Sequence, residues 1–226
     1  MRVIAVDTSS ELGSVACVVD GVLRSAAEAR VRARHGETVF SLLEQVMAHA
    51  DFPKSEIELV SCGLGPGSFT GTRVGVAAAK ALALALDVPL VGVSTLVALA
   101  RAAPGQWLAP VVDANRGEVF VAVYERSPGG LEERLAPTHG PPLELLSRLG
   151  RFPALTIFGT GARRYSEVLP PSLPALFDSP RAAVIALEAV ERLAARGPDD
   201  RATLEPVYLR PSDAKLPDVP LPTPSP

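Results

Sequence analysis

The sequence predicts an α/β fold of two lobes, the second repeating the plan of the first. Three observations carry this. An apolar strand running into an aspartate occurs twice, Val3–Val6 into Asp7 and Leu108–Val112 into Asp113. Each is followed by a short polar turn with glycine (Gly13, Gly117) and a second apolar strand. Each then continues into a more polar third strand, a helix and a further strand. Self-similarity on the scale of a whole lobe marks a duplicated fold. A chain of 226 residues has room for one large or two small domains.

In chain order, the turn Asp7–Gly13 leads to a strand at Ser14–Val19. Asp20-Gly21 is a strong hairpin signal before a more polar strand at Val22–Ala29. Val39, Leu42, Leu43, Val46, Met47 and Ala50 keep helical spacing and predict an amphipathic helix from about Gly36 to His49. Ile57–Leu64 reads as a buried strand. A glycine-rich run then opens a helix to about Leu86, Leu90–Val93 is a strand, and Ser94 caps a short helix. Pro104-Gly105 punctuates the chain. Beyond it come Leu108–Val112, the turn Ala114-Asn115-Arg116-Gly117, a strand at Glu118–Tyr124 and a charged strand at Leu131–Leu135. A helix follows at Pro142–Leu149, then a strand at Thr156–Phe158 and the turn Gly159-Thr160-Gly161. The last helix is expected to be capped by Ser179, with Pro180 in its first turn and Arg196-Gly197-Pro198 as its stop. Val207–Arg210 is a final extended segment. Residues 211–226 hold six prolines and no apolar period, which predicts a flexible tail. The expected organisation is a first lobe over 1–104, a second over 105–210 whose C-terminal part packs back on the first, and the tail.

A net charge of −3 excludes a strongly basic, self-sufficient nucleic-acid binder. Cys17 and Cys62 sit far apart in apolar runs and are expected to be buried free thiols; no CxxC spacing exists. The opening Met1–Asp7 reads as a strand, not a signal peptide. The stretch Val74–Leu86 is interrupted by Lys80 and looks too short to cross a membrane. The three histidines form neither HxxxH nor HExxH, which argues against zinc or iron held by several histidines. His35, among Arg30, Arg32 and Arg34, belongs to a solvated basic loop or to a polar contact with a partner or RNA phosphates.

The sharpest segment is Gly65-Pro66-Gly67-Ser68-Phe69-Thr70-Gly71-Thr72-Arg73-Val74-Gly75. It lacks the Gly-Lys-Ser/Thr of a P-loop, the spacing of a dinucleotide fingerprint and that of a nucleophile elbow. Two readings stay open: an anion site at a helix N-terminus, or a tight structural turn. Asp7 and Asp113 likewise either position a metal-bound phosphate or only cap their turns. The helix after the glycine run is apolar nearly all round, so it is either wholly covered or carries a partner-binding face.

This segment, with Ala5-Val6-Asp7-Thr8-Ser9, Gly92-Val93-Ser94-Thr95-Leu96, Asp113-Ala114-Asn115-Arg116-Gly117-Glu118-Val119-Phe120 and Pro206-Val207-Tyr208-Leu209-Arg210, resembles the TsaB (YeaZ) family over about residues 1–210. The resemblance implies a two-lobed actin/Hsp70/sugar-kinase-like fold with a duplicated mixed-sheet lobe. It implies a non-catalytic, cytoplasmic scaffold that supports TsaD in forming threonylcarbamoyladenosine beside the anticodon of tRNAs reading A-starting codons. TsaD carries an HxxxH metal site, which this sequence lacks. Implied partners are TsaD as a heterodimer, TsaE, a second copy when alone, and tRNA through the complex only, with no membrane. No cofactor or metal is implied as required, with ATP or ADP allowed in the cleft or at the TsaD interface. The cleft candidates are Asp7, Ser9, Ser10, Asp113, Arg116, Gly159 and Gly161. The interface candidates are Val39, Leu43 and Met47 of the first helix and Thr70, Gly71, Val74, Gly75, Ala78, Ala81 and Leu82 of the second. Two positions depart from the family pattern: Thr72, where a larger apolar residue is usual, and Asn115, where Arg is common. The competing function is a stand-alone actin-like ATPase or kinase; a metalloprotease is opposed by the absent histidine pair.

Overall fold

The computed structural model describes residues 1–30 and 35–210, with no side chains described at 35–37. The basic-loop positions Arg32 and Arg34 and the proline-rich segment 211–226 lie outside the described residues.

The first sheet is built from β1 (Arg2–Asp7), β2 (Leu12–Val19), β3 (Val22–Arg30), β4 (Leu59–Gly63) and β5 (Leu90–Val93), in the order β3-β2-β1-β4-β5. β1, β2 and β3 form an antiparallel meander, while β4 and β5 join β1 in parallel. The hairpin between β2 and β3 turns on Asp20 and Gly21, both at positive φ, as the Asp-Gly signal required. Parallel strands need a crossover. The first, from β1 and its hairpin to β4, carries α1 (His35–Ala48); the second, from β4 to β5, carries α2 (Phe69–Leu86). Both helices pack on one face of the sheet and against each other. The other face is covered by α6 (Ala182–Arg196) from the end of the chain.

The second sheet repeats this plan with β6 (Trp107–Asn115), β7 (Glu118–Ser127), β8 (Gly130–Gly140) and β9 (Thr156–Phe158), in the order β8-β7-β6-β9. Again the meander is antiparallel and the last strand parallel. One face packs on α3 (Thr95–Ala102), the other on α4 (Pro142–Leu149) and α5 (Thr160–Arg164). The fold is thus the two-lobed α/β architecture with a duplicated mixed-sheet lobe that the repeat predicted.

Helix α3 joins the lobes. Arg126 on β7 donates to the Ala100 and Ala103 carbonyls at 2.9 and 2.7 Å, satisfying acceptors that a helix C-terminus leaves open. From the other side Arg101 pairs with Glu188 at 2.9 Å and with Glu191.

Four local expectations need correction. α6 begins at Ala182 after Arg181, so Ser179 and Pro180 precede it and Ser179 does not cap it. Ser94 sits at the N-cap of α3 but makes no capping bond with its side chain. α5 follows Gly159 directly and is too short to show a period in sequence. The apolar stretch Val74–Leu86, read as too short to cross a membrane, is part of α2, whose 18 residues Phe69–Leu86 are long and apolar enough to do so by length and composition; in this fold one face of it packs on β4 and β1 as a layer of the first lobe.

Candidate functional site

The glycine-rich run has a local cause. Ser68 caps α2 by accepting from the Gly71 N–H at 3.1 Å. Gly67, Gly71 and Gly75 recur every four residues and face the turn after β1. A Cβ at Gly71 would lie 2.1 Å from the Thr8 carbonyl oxygen; at Gly67, 2.2 Å from that of Ser9; at Gly75, 2.5 Å from Thr8 Oγ1. The resulting approach is stitched by Ser68 N–H to the Ser9 carbonyl (2.7 Å) and Thr8 Oγ1 to the Gly71 carbonyl (2.6 Å). Of the two readings, the structural turn therefore accounts for the glycines. Ser68 N–H is taken by the Ser9 carbonyl, Gly71 N–H by Ser68 Oγ and Thr72 N–H by the Ser68 carbonyl.

This docking seals the first aspartate. Asp7 and Ser9 are fully buried, and Asp7 accepts from Ser9 N–H and from Ser9 Oγ. Gly63 lies directly behind it, where a Cβ would overlap Asp7 Oδ2. Burial pushes the Asp7 carboxyl up to about 7, against the opposing pull of the two Ser9 donors. Ser10 turns back on Leu12, its hydroxyl bonding that residue's own backbone. As cleft residues Asp7, Ser9 and Ser10 are thus corrected: they are taken up by burial and local bonds, and none of them lines the cavity between the lobes.

In the second lobe Asp113 is partly buried and accepts from Arg164 Nη1 at 2.5 Å and from the Asn115 N–H at 3.0 Å. Gly159 and Gly161 are buried against β6, where Cβ atoms would meet the Val111 carbonyl oxygen at 2.3 Å and Val112 at 2.9 Å. They too are corrected, from nucleotide approach to packing; Asp178 accepts the Gly159 N–H and clamps Arg163. Of the seven cleft candidates only Arg116 lines the cavity between the lobes.

That cavity holds about 330 Å³. Its walls are the glycine loop (Pro66, Gly67, Phe69), the β6–β7 turn (Asn115, Arg116) with Phe120, and the segment 206–210. The last is not a strand but a strap between lobes. Val207 N–H donates to the Leu64 carbonyl at 2.8 Å, and Arg210 Nη1 to the Ala114 carbonyl at 3.1 Å and to Glu118 at 3.4 Å. Tyr208 accepts from Arg73 Nε at 2.7 Å, and Arg73 lies over the Phe69 ring at 3.8 Å. Sequence reading missed Phe69 and this strap as site features, although the Tyr-Leu-Arg of 208–210 carried part of the family resemblance.

The helix pair has an inner and an outer face. Val39, Gly71 and Gly75 are buried in the lobe, so as interface residues they are corrected: Gly71 and Gly75 are needed where α2 meets β1, and Val39 packs in the core beneath α1. Leu43, Met47, Val74, Ala78 and Leu82 are partly buried, and Thr70 and Ala81 are exposed. The outer face of α2 also presents Ala77 and Leu84, and that of α1 presents Phe40; Phe69, at the start of α2, is exposed on the cavity side. Leu84 is 71% exposed and Phe40 58%. The thiols are inert: burial pushes Cys62 up to about 12 and also raises Cys17.

A family model described as "TsaD: tRNA N6-adenosine threonylcarbamoyltransferase" matches residues 28–149, more than half of the chain. The tRNA threonylcarbamoyladenosine biosynthesis protein TsaB of Escherichia coli is 34% identical over 138 residues, 58% of each chain. YeaZ from Pseudomonas aeruginosa superposes with a TM-score of 0.80 at 27% identity, over 92% of this chain and 99% of that one. This chain belongs to the TsaB/YeaZ family. An uncharacterized protein of Mycobacterium tuberculosis is 33% identical over 80% of this chain and 77% of its own. Against the curated TsaB relatives the match is shorter, spanning little more than half of their length.

Proposed function

We propose that this member of the TsaB/YeaZ family is a scaffold subunit in threonylcarbamoyladenosine synthesis on tRNA, and that it performs no chemistry itself. The carrying observation is the outer face of α2, where Thr70, Ala77, Ala81 and Leu84 stay exposed in an apolar helix whose opposite face, Gly71, Thr72, Gly75, Val76, Ala79 and Ala83, is buried in the lobe. Such a face is suited to a matching helix pair. The partner is a TsaD-type transferase, with TsaE joining the pair and tRNA bound through the complex; without TsaD, a second copy covers the same face as a two-fold homodimer. The modified adenosine is the one beside the anticodon of tRNAs reading A-starting codons. Sealing of Asp7 supports the non-catalytic reading, because phosphoryl transfer needs a carboxylate open to metal and phosphate. Among the described residues His49 bonds the Gln45 carbonyl and His139 meets Glu118.

The test is co-purification with the TsaD-type protein of the same genome. Ala81→Glu and Leu84→Asp alter exposed positions, so the fold should persist. Each buries an unpaired charge in the complex at a cost of several kcal/mol, enough to lose capture where 1.4 kcal/mol is tenfold. Wild-type capture lost in both variants, at unchanged melting temperature, is expected. Undiminished capture by both would move the interface off this face, and ATP turnover by the isolated chain, abolished by Asp7→Asn, would overturn the scaffold reading.

A further inference from the structure

The outer face of α2 is bordered by a groove for which the glycine motif gives no reason. α2 carries two charges in its 18 residues, Arg73 and Lys80. Seven residues apart, they stand two turns from each other on one side of the helix. That side meets the C-terminal strap, and the groove between helix and strap holds about 280 Å³. Arg73, Ala77 and Lys80 form one wall, and Leu204, Pro206 and Tyr208 the other. Ala77 also belongs to the exposed stripe of α2, so the groove is continuous with the face assigned above to a partner.

The groove holds charge without its complement. Lys80 is partly buried, and its ammonium donates to the Ala202 and Leu204 carbonyls at 3.1 and 3.2 Å. Those bonds use two of its three donors and leave the charge unbalanced. Arg73 donates through Nε to the Tyr208 hydroxyl at 2.7 Å and lies over the Phe69 ring. The terminal edge of its guanidinium has no partner among the described residues. Nor, among those residues, does a carboxylate pair with either cation; Glu205 lines the groove and pairs with neither. By contrast Arg101, Arg163, Arg181, Arg192 and Arg201, which also tie elements together, each meet an acid. Both unbalanced cations are nonetheless held in position, Lys80 by two carbonyls and Arg73 by two rings, so a partner need not order them.

We infer that this groove receives Asp or Glu side chains from a helix of the partner, and that Arg73 and Lys80 select for an acidic partner surface. The inference rests on the scaffold reading and adds the chemistry of the surface that meets α2. The open edge of an arginine is the fork that a carboxylate fits, while the remaining Lys80 proton acts as a point charge. A partner without the acid would cover two cations and leave them unpaired, which is how a surface rejects wrong partners. An RNA backbone calls for a longer row of cations than two beside a glutamate, whereas one helical turn bearing an acid among small apolar residues matches this lining. The strap thereby becomes part of the docking surface, alongside α1 and α2.

The test uses the full chain and the TsaD-type protein of the same genome, with affinity and association rate followed by biolayer interferometry. Lys80→Met and Arg73→Gln should each weaken binding about tenfold, mainly through association, while Lys80→Arg stays within about threefold of wild type. Raising salt from about 50 to about 500 mM should weaken wild type more than either neutral variant. Changing the partner's surface acids to lysine one at a time should find a position whose loss of binding is suppressed by Lys80→Glu. Arg73→Gln, at an exposed position, keeps the test decisive if Lys80→Met lowers the melting temperature. If Ala81→Glu loses the partner while both neutral variants bind as wild type with its salt dependence, the inference is overturned and the scaffold reading stands. If Ala81→Glu also binds normally, both fall. Unchanged partner affinity with weakened binding of bare tRNA in the neutral variants would assign the groove to RNA and equally overturn the inference.

Discussion

Replacing a helical glycine by alanine ordinarily stabilises a protein by about 0.5–1 kcal/mol. In α2 the sign should reverse. At Gly71 the added Cβ would stand 2.1 Å from the Thr8 carbonyl oxygen, a backbone atom with no rotamer to change. Relief requires α2 to retreat from the β1–β2 turn by about 1 Å, which lengthens both stitching bonds beyond useful range. Those bonds, 2.7 Å from Ser68 to Ser9 and 2.6 Å from Thr8 to Gly71, are largely buried. Leaving such groups unpaired costs about 1–3 kcal/mol each. Gly71→Ala should therefore destabilise by about 3 kcal/mol net, lowering Tm by roughly 6–12 °C for a chain of this size. Gly75→Ala meets only Thr8 Oγ1, at 2.5 Å, which can rotate away and lose one bond; a net loss of about 1 kcal/mol is expected. A double-mutant cycle isolates the cause. In a Thr8→Ala background the Oγ1 is gone, and Gly75→Ala should then be neutral or stabilising. Ala77→Gly on the exposed face is the control, costing about 1 kcal/mol by propensity alone. Urea and thermal melts give all the values. If Gly71→Ala raises Tm, or the Gly75→Ala penalty persists without the Thr8 hydroxyl, the close-approach account of the motif fails.

Asp7 has a folded-state pKa of about 7, above its ordinary 3.8, so its stabilising contribution is complete below pH 4 and is lost as pH rises through 7. Asp7→Asn should thus gain on wild type by up to about 4 kcal/mol between pH 4 and 8; a pH-independent difference in urea melts would contradict the buried acid. Arg126→Ala should cost about 2 kcal/mol by uncapping the C-terminus of α3, and hydrogen exchange should rise at Ala100–Ala103 more than in β1; uniform exchange would mean that Arg126 does not clamp the lobes. Gly159→Ala combines a φ of +110° with a 2.3 Å approach to the Val111 carbonyl oxygen, so it should yield insoluble protein or a Tm lowered by 10 °C or more; an unperturbed Tm would be decisive against the β6–α5 packing described.

The duplicated fold was legible because its signals are local: strand runs, an Asp-Gly hairpin and helical spacing each depend on a few neighbouring residues. The strap was not, since Tyr208 lies 135 residues from the Arg73 it bonds and an extended pentapeptide has no period. Periodicity also groups residues on a helix face without saying which face meets the sheet. Size misleads here. Small residues looked suited to a partner, but a backbone-to-backbone approach needs them more, so Gly71 and Gly75 turn inward while Phe69 and Leu84 stay outside. The same close approach explains why the two aspartates of the repeat have different fates. Their strands and turns match, and sequence alone treats them as equivalent phosphate holders. What separates them is the element that follows the parallel strand. After β4 it is an 18-residue helix with a glycine edge, which docks on the turn and buries Asp7; after β9 it is a five-residue helix that leaves Asp113 partly open and offers it Arg164. A duplicated lobe therefore supplies two copies of a turn, and the packing of its neighbour decides whether the turn can hold anything.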